Sequence, residues 1–269
     1  MSGYETMIIE KRGEVDWVTL NRPERLNALN PTLVTELLDY FAKLYWDRSV
    51  RVVVIRGAGR AFCAGLDLKE RAGNSGTPVE RSVSDGLVTQ RRIAEIMMRM
   101  RRCPQPIISL VHGAASGGGF AIALASDIRI AGESARMNAA FIRIGLSACD
   151  VGVSYFLPRL VGSSIASELL LTGRFINAAR AERTGLVSEV VPDDKLEEAA
   201  SVYVEEMLTT TPLGLRLTKE CLHMNIDAPS MEAAVAMEDR NQILCAQTSD
   251  FNEGVRAFLE KRRPVYADR

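Results

Sequence analysis

The chemistry that stands out in this 269-residue chain is carried by backbone, at two glycine-containing junctions. Gly117-Gly118-Gly119 follows the apolar run Pro106–Val111 and precedes the helix-compatible segment Phe120–Ser126. Amides in the first turn of a helix have no intrahelical acceptor, and the helix dipole places partial positive charge beside them. Glycine lets an oxygen approach those amides with no Cβ in the way. Ala61-Phe62-Cys63-Ala64-Gly65-Leu66-Asp67-Leu68-Lys69 repeats the arrangement after the β-branched run Val50–Arg56. Two strand ends, each supplying one N–H, can converge on a single oxygen as an oxyanion hole. Nucleotide-cradling loops fit poorly, because no Gly-Lys-Ser/Thr follows the triplet and G-x-G-x-x-G is absent. Close helix–strand packing is the plainer explanation of such glycines.

The side-chain inventory narrows the rest. The chain has 2 histidines, His112 and His223, which argues against a His-rich zinc or iron site; no metal is expected. Ala114-Ala115-Ser116-Gly117-Gly118 approximates the nucleophile elbow G-x-S-x-G, with alanine in first place. His112 is too near in the chain to serve Ser116 easily as a base, so acyl transfer by serine is disfavoured. The 5 cysteines are odd in number, scattered and without C-x-x-C, as expected of reduced thiols in a cytoplasmic protein rather than nucleophiles. Lys+Arg 33 against Asp+Glu 34 leaves a net charge of -1, which gives no reason to expect nucleic acid or an anionic membrane as partner. The longest apolar stretch, Gly113–Ala125, is too short and glycine-rich to span a bilayer, and the first residues lack the pattern of a secretory leader.

The elements that must position these junctions follow from periodicity. Thr6–Lys11 and Val15–Asn21 read as strands around an Arg12-Gly13 turn. Asn30 and Pro31 open a helix with Leu33, Leu37, Leu38, Phe41 and Leu44 on one face. Val50–Arg56 suits a strand buried on both faces. Gly73–Pro78 has loop chemistry, and a helix resumes near Asp85 with Ile93, Ile96, Met97 and Met100 as its stripe. Arg91, Arg92, Arg99, Arg101 and Arg102 are expected on its solvated side, and Cys103-Pro104-Gln105-Pro106 ends it. Pro106–Val111 and Asp127–Ala131 read as strands. Ser163 or Ser164 caps a helix reaching Leu171, with Gly173 at its C-terminal end. Asn177–Arg183 reads as a helix, Leu186–Val191 as a strand, and residues 193–263 as helices. The order predicts an α/β parallel-sheet core over residues 1–195 and a helical region over 196–269.

Several of these segments together resemble the crotonase (enoyl-CoA hydratase/isomerase) superfamily. They are Ala61–Lys69, His112–Gly119 with Ser126–Ala131, Arg22–Leu29, Leu171-Thr172-Gly173, Gly185-Leu186-Val187 and Glu253–Arg262, in the family's order. The resemblance implies an α/β fold with a ββα spiral core and a C-terminal helical trimerisation region, assembled as a homotrimer or a dimer of trimers. It implies an acyl-CoA thioester as substrate, with no cofactor beyond the coenzyme A it carries. The Leu66 and Gly118 amides would hold the thioester oxygen. Ala64, Gly65, Asp67 and Leu68 would line the CoA groove with Arg25 and Ala28, and Ala114, Gly117 and Phe141 would complete the substrate-binding set. Lys261 would contact a phosphate, or else be a solvated charge.

One departure from the family decides the chemistry. Its hydratases act through two glutamates, and the corresponding positions here are Ala121 and Phe141. Their neighbours Ile122, Ala140 and Ile142 are apolar, and Arg143 has the wrong sign for a base. The acid left in this part of the chain is Asp150. The pattern Ala140–Leu146 is similar to the phenylacetate-pathway isomerases, which use a single aspartate. One carboxylate whose pKa is raised by an apolar pocket suits carrying a proton from one carbon to another, whereas hydration needs groups acting on a water. Double-bond isomerisation is therefore favoured, with Asp150 as acid/base. Three readings stand beside it: a hydratase drawing a second group from Lys69–Gln90 (Glu80, Arg81 or Asp85), an acyl-CoA-binding protein without turnover, and an Asp150 that only caps its own loop.

Overall fold

The computed structural model describes residues 3–72 and 82–269. The predicted Gly73–Pro78 loop, with Glu80 and Arg81, lies outside them. The chain opens with an antiparallel hairpin of β1 (Met7–Arg12) and β2 (Val15–Leu20). Then come α1 (Pro31–Leu44), β3 (Val52–Gly57), α2 (Leu68–Ala72), α3 (Val83–Arg102), β4 (Ile107–Val111), β5 (Ala114–Ser116) and α4 (Gly118–Ala125). Next are β6 (Ile128–Gly132), β7 (Arg136–Asn138), α5 (Val153–Thr172), β8 (Ile176–Asn177), α6 (Ala178–Arg183) and β9 (Glu189–Val191). The chain ends with α7 (Leu196–Leu208), α8 (Pro212–Asn225), α9 (Met231–Ala246) and α10 (Ser249–Glu260).

The main sheet has strand order β1-β2-β3-β4-β6-β9, and every pairing after the first hairpin is parallel. A smaller sheet, β5-β7-β8, stands beside it. The Val52–Ile55 run is buried on both faces, which is why it lacks alternation. Val53 and Ile55 meet the helical layer of α1, α3 and α4, while Val52 and Val54 join Trp17, Ile108 and Ile130 against Leu196, Ala200 and Val204 of α7. The predicted Asn30 cap forms, and Ser82 supplies an unanticipated one. Asn30 Oδ1 accepts from Leu33 N at 2.9 Å to start α1, and Ser82 Oγ accepts from Asp85 N at 3.0 Å to start α3. Asp85 is thereby part of an exposed cap. Every residue of α4 is buried, so the helix that begins at Gly118 is walled in on all sides.

Three local expectations are corrected. The strand expected over Leu186–Val191 pairs only from Glu189, because Gly185 (φ +72) turns the chain and Leu186 and Val187 fill the core from that turn. The helix expected from Ser163 to Leu171, ending at Gly173, does follow a break at Gly162 (φ 76, ψ 163), but an unexpected helical segment from Val153 leads into it and neither Ser163 nor Ser164 makes a side-chain cap bond among the described residues. The arginine face of α3 is only partly solvated: Arg99 donates to Leu38 O at 2.6 Å and Arg101 to His223 O at 3.3 Å.

Beyond α7 the helices bury little. Pro212 and Lys219 are the buried residues of α8, and α9 has none, while Leu222, Met224, Met231 and Phe258 are exposed. Among the described residues, no helix is long and apolar enough to cross a membrane.

Candidate active site

Backbone hydrogen bonds bring the two glycine junctions side by side. Phe62 N donates to His112 O (2.8 Å), Cys63 N to Ala114 O (3.0 Å) and Ser116 N to Cys63 O (3.0 Å), so the segment after β3 runs parallel to β5. On its other side, Leu29 N donates to Gly65 O (2.6 Å) and Asp67 N to Leu29 O (2.9 Å). This ladder uses the Gly65 carbonyl and the Asp67 N–H on either side of Leu66 and leaves the Leu66 N–H without an acceptor among the described residues. Gly117 turns the chain at φ +51 and spends its own N–H on Asn138 O (2.9 Å). Gly118 then opens α4, and its N–H likewise has no acceptor among the described residues. A Cβ placed on Gly65 would stand 3.4 Å from Gly118 N, which shows how closely the two strand ends approach.

Leu66 and Gly118 both line a cavity of about 100 Å³, together with Ala64, Gly65, Leu68, Gly117, Phe141 and Asp150. Of the expected site residues, these eight are brought together. The rest of the cavity wall is apolar, through Leu29, Ile93, Ile144 and Leu146 among others, except for the amide of Gln90. Asp150 is the titratable side chain among the described residues lining it. The half-buried carboxylate accepts at Oδ1 from Val151 N (2.8 Å) and from Gln90 Nε2. Burial pushes its pKa above the ordinary carboxylate range, against a smaller opposite pull from the Val151 N–H. Val151 holds φ +41, a costly conformation for a β-branched residue, and Gly152 continues it at φ +91 into the start of α5.

The remaining expected residues do not line the cavity. Asp67 is an anchor: its Oδ1 accepts from Glu70 N (3.0 Å) at the start of α2 and its Oδ2 pairs with Arg22 Nη2 (3.0 Å). Burial alone would raise its pKa, but the Glu70 N–H and the Arg22 guanidinium outweigh it and hold the carboxyl below its usual range. Arg22 also donates to Ala28 O, so Ala28 is part of the same brace. Arg25 is exposed at the end of the short 3₁₀ turn Pro23–Arg25. Ala114 contributes the backbone ladder, and Lys261 is an exposed left-handed cap of α10 (φ 53). Neither glutamate-replacing position offers a polar group. Ala121 is fully buried in α4, and the Phe141 ring packs over Gly117.

Gln90, whose amide reaches Asp150, was not among the expected site residues. Its signal was nevertheless present, since it stands three residues before Ile93 and so continues the buried stripe of α3 with a polar side chain. Asn27 was also overlooked: fully buried, it donates to Ala58 O and Ala61 O, both at 2.8 Å, and pins the entry to the Ala61–Leu66 segment.

The competing chemistries lose their partners. His112 Nε2 lies 2.9 Å from Gly59 O, and His223 Nε2 lies 2.8 Å from Asp127 Oδ1, next to the start of β6. Neither ring touches Ser116. The Cys63 thiol is enclosed, and burial pushes its pKa up to about 12, which is unsuited to a nucleophile. Among the described residues, no three His, Cys, Asp or Glu side chains converge as a metal site.

Residues 10–269 match the family model described as enoyl-CoA hydratase/isomerase. A Mycobacterium tuberculosis protein named "Probable enoyl-CoA hydratase EchA12" is 40% identical over 274 residues, covering 100% of this chain and 96% of the relative. The 1,2-epoxyphenylacetyl-CoA isomerase of Escherichia coli is 34% identical over 249 residues, 93% of each chain. Among solved structures, an enoyl-CoA hydratase from Bacillus anthracis superposes with a TM-score of 0.92 at 34% identity, covering 98% of this chain and 100% of that one.

Proposed function

The chain belongs to the enoyl-CoA hydratase/isomerase family of acyl-CoA enzymes, and we propose that within it this member moves a double bond rather than adding water. The observation that carries the reading is the polarity of the cavity. Asp150 is its one acid among the described residues, and the family resemblance aligns Ala121 and Phe141 with the two glutamates of a hydratase.

In this reading the thioester oxygen of a β,γ-unsaturated acyl-CoA accepts from the Leu66 and Gly118 N–H groups. The Asp150 carboxylate takes a proton from the α carbon. The C–H electron pair becomes the α carbon–carbonyl double bond, and the carbonyl electrons move onto the oxygen, where the two amides stabilise the enolate. The protonated Asp150 returns its proton to the γ carbon as the electrons flow back, leaving the double bond between the α and β carbons. Nothing is gained or lost overall, so the sequence needs no cofactor beyond the coenzyme A of the substrate. The raised pKa of Asp150 suits both halves, since a stronger base takes the proton and a neutral acid then survives long enough to return it. The exposed apolar side chains of α8, α9 and α10 support assembly as a trimer or a dimer of trimers, in which Lys261 could reach the phosphates of coenzyme A in a neighbouring site.

The hydratase name of the Mycobacterium tuberculosis relative favours a second reading, hydration with an unplaced second group from Lys69–Gln90. A panel of α,β- and β,γ-enoyl-CoA esters assayed with wild type and Asp150→Asn separates the readings. The expected result is isomerisation abolished by the substitution. Crotonyl-CoA hydration that survives Asp150→Asn would overturn the proposal, and tight ester binding without turnover would point to a binding protein.

A further inference from the structure

Both hydrogen bonds received by the Asp150 carboxylate from the described residues fall on one oxygen. Val151 N and Gln90 Nε2 donate to Oδ1, and Oδ2 accepts from none of the described residues. The two donors come from different elements. Val151 follows Asp150 in its own loop, whereas Gln90 belongs to α3, which Ile96, Met97 and Met100 fix in the core. Gln90 lines the same cavity as Asp150, Leu66 and Gly118.

We propose that Gln90 is the positioning residue of the site: it anchors Asp150 through Oδ1 and thereby dedicates Oδ2 to proton exchange with the substrate. The inference rests on the acid/base reading of Asp150 given above and goes beyond it. A carboxylate is free to rotate about its Cβ–Cγ bond and so exchange its oxygens. Two donors on the same oxygen, one from a packed helix, oppose that rotation. An amide donor also favours the ionised form without adding a charge, so the base stays available while the cavity stays without a second ion. Glutamate at position 90 would do the opposite, setting a second carboxylate against Asp150. Isomerisation benefits from this arrangement, because a single fixed oxygen must serve the α carbon first and the γ carbon next, and its direction decides whether both are within reach.

Difference infrared titration of the Asp150 carboxyl, each protein against its Asp150→Asn counterpart, reads the anchor without a substrate. Asp150 is the titratable side chain among the described residues of the cavity wall, so the band is assignable. Gln90→Leu, which keeps the volume and loses the donor, is expected to raise the titration midpoint by about one pH unit, and Gln90→Glu to raise it further. With the β,γ-enoyl ester that turns over, Gln90→Leu is expected to lower kcat about tenfold while leaving KM within about twofold. Gln90→Asn, retaining a shorter donor, should fall between Gln90→Leu and wild type. A midpoint that does not move in either the Leu or the Glu variant, in protein with wild-type melting behaviour, overturns the proposal. Full turnover by Asp150→Asn in an otherwise wild-type chain would instead show that the acid/base reading has failed.

Discussion

Arg22 and Asp67, far apart in sequence, close a 3.0 Å ion pair whose side chains are 11% and 6% exposed. The same guanidinium also donates to Ala28 O, so one side chain ties the Arg22–Leu29 segment to the strand end that carries Leu66. The placement of the Leu66 N–H, which the proposed reading assigns to the thioester oxygen, therefore depends on a brace outside the cavity. Asp67→Ala is expected to lower unfolding free energy by about 2 kcal/mol, because it removes the buried partner of Arg22 and leaves the guanidinium only the longer contact to the exposed Glu70 carboxylate (3.4 Å). Urea denaturation of the two proteins at neutral pH checks this.

The same pair sets an acid limit. The folded-state pKa of Asp67 is depressed, so its contribution to stability is present above the unfolded carboxylate value of about 3.9 and is lost as pH falls through the folded value. The stability gap between wild type and Asp67→Asn should be full at pH 6 and shrink on acidification below about pH 4. A gap that stayed constant to pH 2 would mean that the charge of Asp67 contributes nothing.

Asp150 carries the opposite sign. Its folded-state pKa is raised, so its ionised form costs stability once the pH exceeds the unfolded value. Asp150→Asn should therefore unfold at a slightly higher temperature than wild type near neutrality, by an amount on the order of 0.5–1 kcal/mol. The gain should vanish below about pH 4, where the carboxyl is neutral in both states. Catalysis should rise with pH through the folded value, and a pH–rate profile of wild type records that limb.

Glycine substitutions at the junction should differ in severity. A Cβ at Gly65 would meet Ser116 O at 2.7 Å, with φ +91 adding backbone strain. At Gly118 it would meet Leu29 Cδ1 at 2.7 Å, the end of a flexible side chain. Gly65→Ala is expected to reduce kcat by about a hundredfold or more, the scale of losing one oxyanion donor. Gly118→Ala should cost less, since Leu29 can rotate aside. Steady-state kinetics on both variants ranks them.

Restoring the first family glutamate should fail. Ala121 is fully buried in a helix with no exposed residue, so Ala121→Glu introduces an unpaired charge where nothing can solvate it. A destabilisation of about 3–5 kcal/mol and no gain in crotonyl-CoA hydration are expected, by thermal melting and by direct assay.

What the sequence disclosed about this site was mostly backbone. Strands, glycines and caps obey local rules, so the two junctions could be singled out on their own, whereas the choice of the Leu66 and Gly118 amides came from the family resemblance, and Asp150 from the absence of other acids nearby. Gln90 escaped because its role depends on α3 crossing the loop that follows β7, a contact between segments sixty residues apart. Asp67 was expected in the groove and proved to be a brace, since an aspartate at the start of a helix serves either purpose until its partner is known. Leu186 gave a strand signal for a related reason. Burial selects apolar residues in a turn as readily as in a strand, and only the Gly185 turn distinguishes the two cases.

The enclosure of α4 has a consequence for how such a protein can diversify. The Gly118 amide is set by a helix that touches neighbours on every side, so almost any change there disturbs the whole core. Leu68, Ile144 and Leu146 border the same cavity from half-exposed segments, where side chains can be exchanged with little effect on folding. On the proposed reading, a lineage descending from this chain would keep its grip on the thioester and change its taste in acyl groups, and directed libraries confined to those outer positions should return altered selectivity far more often than inactive protein.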